Sequence, residues 1–177
     1  MHKSLAHLLL ITAMAAAPAL ATETRSAGKH EHGVATLDIA IDGNDMAIDL
    51  DGPAENFIGF EHKPSTPEQS AALAAALDTL RAGNALFLTP TAAGCQMISS
   101  AASPPDYDDS GHADIEASWE FRCSSPTALL WVDVQLFARF PGTQKLSTSV
   151  VTPAGQKAVI LKPGTVRVLM PREATPR

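Results

Sequence analysis

The sequence predicts an α+β fold: a mostly antiparallel β-sheet with one amphipathic helix inserted early. Three observations predict it. Apolar and polar residues alternate over most of the chain, one alanine-rich stretch instead repeats at helical spacing, and Gly- or Pro-containing turns separate the alternating runs. A hydrophobic share of 45% in 177 residues fits a folded chain rather than a disordered one.

Taken in order, Val34 to Ile41 places Leu37, Ile39 and Ile41 on one face, Gly43-Asn44-Asp45 is a turn, and Met46, Ile48 and Leu50 resume the period of two. That is a β-hairpin with one buried face. The helix follows. Thr66-Pro67-Glu68-Gln69 supplies a capping hydroxyl, a proline at the first helical position and a glutamine at the capping-box position. Leu73, Leu77 and Leu80 form one stripe, expected buried, with Glu68 and Asp78 outside it and Gly83 as the stop. Leu86 to Leu88 and Cys95 to Ile98 read as short strands, and Ser99 to Gly111 as a loop. Ile115 to Cys123 alternates cleanly. Leu129 to Phe140 reads as one long strand, and Leu146 to Val151, Ala158 to Leu161 and Val166 to Met170 as three more, with Pro141-Gly142, Pro153-Ala154-Gly155 and Pro163-Gly164 as turns between them.

The ends carry different information. Residues 1–21 read as a signal peptide: His2 and Lys3 precede an apolar run from Leu5 to Ala17, and Ala19-Leu20-Ala21 has the small-x-small pattern of a cleavage site. The run is shorter than the ~20 residues that span a bilayer. The mature chain is then a single domain over residues 22–170, with a frayed tail at 171–177, in the periplasm. In that oxidising compartment the two cysteines, Cys95 and Cys123, are expected to form a disulfide. They lack the C-x-x-C spacing of a thiolate metal site.

Charge is uneven. Glu31 to Leu80 holds ten acids and one base, whereas Ser124 to Arg177 holds two acids and seven bases. The acidic half attracts cations, and an overall charge of −6 argues against an electrostatic nucleic-acid binder.

Four histidines follow residue 21: His30, His32, His62 and His112. His30-Glu31-His32 sits at the start of the first strand, and an extension of that strand would project both imidazoles from one face, where they could share a transition metal. Glu61-His62 follows Phe57-Ile58-Gly59-Phe60, whose glycine implies a close backbone approach and a rigid turn holding His62. His112 ends an acidic loop, Asp106 to Gly111, that lacks the twelfth-position glutamate of a calcium-binding EF-hand. The alternative for each is an exposed or loop-closing histidine. No nucleophile elbow, H-E-x-x-H or phosphate-binding glycine loop is present, and no enzyme is expected.

The blocks His30-Glu31-His32-Gly33-Val34-Ala35, Gly52 through His62, Ala93-Gly94-Cys95, Phe121-Arg122-Cys123 and Leu136 through Gly142 together resemble the ZrgA family of zinc-regulated periplasmic proteins over nearly the whole mature chain. The resemblance implies a zinc-binding accessory to high-affinity zinc uptake, working beside the solute-binding protein of a zinc ABC transporter. Members of that family carry a His/Asp-rich tract between the two cysteines. Here Pro104 to Asp114 holds a single histidine, which argues against bulk storage.

The expected metal ligands are therefore His30, His32 and His62, then His112, with Glu61 as an oxygen donor and zinc as the ion. Copper or nickel would suit the same imidazoles. Two other readings differ in class: a metal-independent envelope module that recognises another protein, and a metallohydrolase with Glu61 as general base.

Overall fold

The computed structural model describes residues 31–83, 85–107 and 111–171. The expected signal peptide, His30 and all of the tail beyond Pro171 lie outside the described residues.

The expected α+β architecture is present, with two sheets rather than one. In chain order the elements are β1 (Val34–Asp42), β2 (Asp45–Pro53), α1 (Ala54–Ile58), α2 (Pro67–Ala82), β3 (Phe87–Leu88), β4 (Cys95–Ala102), β5 (Asp114–Cys123), β6 (Trp131–Val134), α3 (Leu136–Arg139), β7 (Lys145–Thr152), β8 (Gly155–Leu161) and β9 (Arg167–Leu169). The larger sheet runs β4-β5-β2-β1-β7-β8 and the smaller β3-β6-β9. Every pairing is antiparallel except β1 with β7, which is parallel and begins where Val34 meets Lys145.

The hairpin forms as the alternation dictates. Leu37 opposes Leu50 and Ile39 opposes Ile48, all four buried, while Asp38 opposes Asp49 on the exposed face. Trp119 and Phe121 of β5 join this apolar face, and Phe87 of β3 packs edge-on against both, at 4.8 and 6.2 Å between ring centroids, so that the core lies between the two sheets. One side of α2 closes the core. Its Leu77 and Leu80 are buried, and the Leu80 carbonyl accepts a 2.7 Å hydrogen bond from the Trp119 indole. Leu73, one turn earlier and expected buried, is only half-buried at the edge of the core. Glu68 and Asp78 are exposed, as the stripe requires. Thr66 caps the helix by accepting from Gln69 N, and the Gln69 side chain reaches back to Ser65.

Four readings are corrected. Leu129 to Phe140 is not one strand: β6 stops at Val134 and α3 begins at Leu136. Leu136, Phe137 and Phe140 are all buried, and adjacent buried residues followed by a third at i+4 belong to a helical turn. The segment Ser99 to Gly111 is not all loop, since β4 continues to Ala102 past a bulge at Ile98. β1 does not extend back to His30: Glu31 to Val34 is a turn closed by Val34 N donating to Glu31 O, with Gly33 at φ +81°. Gly59 makes no close approach, since a Cβ there would meet nothing within 4 Å. It serves instead as the left-handed C-cap of α1, at φ +82°.

The disulfide joins Cys95 to Cys123, which face each other across the β4–β5 ladder. No helix among the described residues is long and apolar enough to cross a membrane.

Candidate metal centre

Three segments converge at the far end of β2. The first is the turn before β1, which carries His32. The second is α1 and the residues after it, which carry Glu55 and Glu61. The third is the short connection into β5, which carries His112. Pro53 ends β2 and leads directly into α1, and Ala54 N donates to Ala113 O at 2.7 Å, tying α1 to the His112 segment. Phe57 anchors α1 edge-on against Phe140 at 5.2 Å. The Gly59 cap then turns the chain back so that Glu61 faces the same space as Glu55.

His32 bridges two carboxylates. Its Nδ1 lies 2.7 Å from Glu55 Oε2 and its Nε2 lies 3.4 Å from Glu61 Oε1, while His112 Nδ1 approaches Glu61 Oε2 at 3.3 Å. The carboxylate of Glu61 is only 10% exposed, and its Oε1 is buried without a hydrogen-bond partner. Glu55 can only accept at Nδ1, so a neutral His32 carries its proton there and its lone pair on Nε2. In that neutral form Nε2 and Glu61 Oε1 are two electron-pair donors 3.4 Å apart, whereas a protonated His32 would pair with both carboxylates. A cation between them turns that repulsion into attraction. Donor atoms at ~2.0–2.1 Å around a tetrahedral zinc are themselves about 3.3 Å apart. The 3.4 Å between His32 Nε2 and Glu61 Oε1 is close to that spacing, and the mixed imidazole–carboxylate set is of the kind zinc takes.

One donor atom each from His32, Glu55 and Glu61 falls within a mutual 4.8 Å, the one such His/Cys/Asp/Glu group among the described residues. Of the residues singled out in the sequence, His32 and Glu61 are brought together and His112 touches the same carboxylate. His62 faces elsewhere. Its Nδ1 lies 3.0 Å from the Lys63 carbonyl, its Nε2 3.4 Å from the Gln69 amide nitrogen, and its ring stacks on Phe60. His30 lies outside the described residues. Glu55 was missed. Its only sequence signal is an acid beside a proline-initiated turn, in the same glycine-bounded block as Glu61.

Comparison with known proteins places this geometry in context. A model of the ZrgA family of zinc uptake proteins matches the chain over residues 29–170. The curated proteins contain no match.

Proposed function

The chain belongs to the ZrgA family of zinc uptake proteins, and from that premise we propose that it captures zinc in the periplasm and serves as an accessory to a high-affinity zinc ABC transporter, beside its solute-binding protein. The ion is cargo, and the protein binds it without turning anything over. His32 Nε2 and Glu61 Oε1 are the inner donors, and His112 supplies a further imidazole beside the same carboxylate. Glu55 holds the other nitrogen of His32, the carboxylate–histidine–metal arrangement that fixes the ring and raises its basicity. His62, engaged by Lys63 and Gln69, is left out of this set. His30, two residues before His32, remains a candidate donor.

The observation that carries the reading is the convergence of His32 Nε2 on Glu61 Oε1, 3.4 Å apart, with that oxygen buried and without a hydrogen bond. The acidic stretch from Glu31 to Leu80 adds a field that concentrates cations around it. The test is isothermal titration of zinc into chelator-stripped protein carrying no His tag. Wild type takes up zinc well below millimolar, His32→Ala loses most of it, and acidification weakens uptake because proton and metal compete for one lone pair. A His32→Ala protein that binds as well as wild type would sink the site.

A second reading, a metal-independent module that recognises another protein, has one observation in its favour. Leu88 and Leu169 are 46% and 58% exposed on the outer face of the smaller sheet, beside Trp131. It requires that the stripped protein take up no zinc in the same titration.

A further inference from the structure

We infer that Asn56 positions the metal centre: its buried side chain locks the turn that carries His32 onto the helix that carries Glu55. The inference rests on the zinc site proposed above. Asn56 is 3% exposed, yet it neither approaches the metal donors nor fills the hydrophobic core. Its Oδ1 accepts from Gly33 N at 2.6 Å and its Nδ2 donates to Val34 O at 2.9 Å. Only this orientation of the amide satisfies both partners. The two backbone groups it holds belong to the residues immediately after His32.

The rest of the turn is fixed from the opposite side. The Gly33 carbonyl accepts from both Gln144 N and Lys145 N, at 2.7 and 2.9 Å, and Val34 N closes the turn on Glu31 O. The backbone carbonyl of Asn56 packs closely on Gly142, where an added Cβ would meet that oxygen at 2.6 Å. The result is a proposed ligand whose ring stands at the surface, 54% exposed, on a turn held by five hydrogen bonds. Because Asn56 follows Glu55 in α1, the one amide sets the distance between the two residues whose 2.7 Å contact orients the imidazole. Removing it leaves the Gly33 N–H and the Val34 carbonyl without this partner and lets the His32 turn move relative to Glu55 and Glu61.

The test compares Asn56→Ala with wild type for zinc affinity, thermal melting and the visible spectrum of the cobalt-loaded protein, all on chelator-stripped material. Outer-shell partners of metal ligands are worth about 10–100-fold in affinity, so Asn56→Ala is expected to bind zinc about 10–100-fold more weakly, with an altered cobalt spectrum. Trp119→Phe, which perturbs the distant α2–β5 contact, controls for stability: it lowers the melting temperature and leaves zinc affinity unchanged. If Asn56→Ala does not fold, Gly33→Ala decides, since it forces a side chain onto a turn at φ +81° from the other end of the clamp and weakens binding in the same way. An Asn56→Ala protein, or in its place Gly33→Ala, that melts lower but binds zinc within twofold of wild type overturns the inference, while His32→Ala still loses binding. A His32→Ala protein that retains full affinity removes the metal centre itself, and the inference with it.

Discussion

Replacing Glu61 by Gln should move stability and zinc affinity in opposite directions. In the metal-free protein the Glu61 carboxylate is 10% exposed, with Oε2 beside His112 and Oε1 buried without a hydrogen bond. A buried polar group left unpaired costs about 1–3 kcal/mol, more if it is charged. Glutamine has the same shape. Its oxygen can still accept from His112, and its amide can donate to the His32 Nε2 lone pair, replacing a repulsive contact by a hydrogen bond worth about 1 kcal/mol. Because the site opens to solvent on the His32 side, the lower part of the range applies, and metal-free Glu61→Gln is expected to gain about 1–2 kcal/mol. For a domain of this size that is a rise of about 2–8 °C in melting temperature. With zinc the order inverts. Free zinc at a hundred times its dissociation constant adds about 2.7 kcal/mol to wild type, whereas the amide is a far poorer donor and the variant gains little. The assay is calorimetric melting in alkaline buffer, stripped and zinc-loaded. A metal-free variant that melts below wild type, or one that keeps the zinc-dependent rise, refutes the reasoning.

Other outcomes follow from the same structure. Reducing Cys95–Cys123 should lower the urea midpoint without abolishing folding: the chain-entropy model assigns such a loop about 3–4 kcal/mol, and the β4–β5 ladder persists without the bond. Trp119→Phe should cost about 1–3 kcal/mol in urea unfolding, since it removes the indole donor from the Leu80 carbonyl and leaves a void against Phe87. The two hydrogen bonds from Arg167 hold the Asp133 carboxyl below its ordinary value of 3.8, against the opposing effect of burial. A depressed carboxyl contributes stability above 3.8 that is lost as pH falls through the lowered folded value. Asp133→Asn should therefore be less stable than wild type at neutral pH, with the gap closing on acidification, as followed by denaturant midpoints across the acid range.

What the sequence disclosed is what local chemistry determines. The β1–β2 hairpin announces itself through a period of two and a two-residue Gly-Asn connection, and α2 through Thr66-Pro67 and its leucine stripe. The pairing of β1 with β7 joins residues more than a hundred apart, the smaller sheet is built from strands about thirty-five to fifty residues apart, and no periodicity encodes either. Leu136-Phe137 misled for a related reason: four residues of helix follow a strand with no glycine or proline between them. At the site, His32, Glu61 and His112 were visible as residue types with metal chemistry. Glu55 and Asn56 were not, because an acid and an amide gain their roles only when α1 is laid against the turn before β1.

The parallel pairing of β1 with β7 also sets an order of events for a chain that emerges from its N-terminus. His32, Glu55, Glu61 and His112 are all present once residue 112 has been made. The backbone donors that brace the His32 turn come from Gln144 and Lys145, and Lys145 follows Glu31 by 114 residues. Closing so long a loop is slow, because its entropy is lost before any contact compensates it. A partly made chain thus carries the donor side chains without the backbone contacts that arrange them. On the function proposed above, zinc capture would begin only as β7 docks, and a protein truncated before that strand would keep the proposed ligands and lack the site.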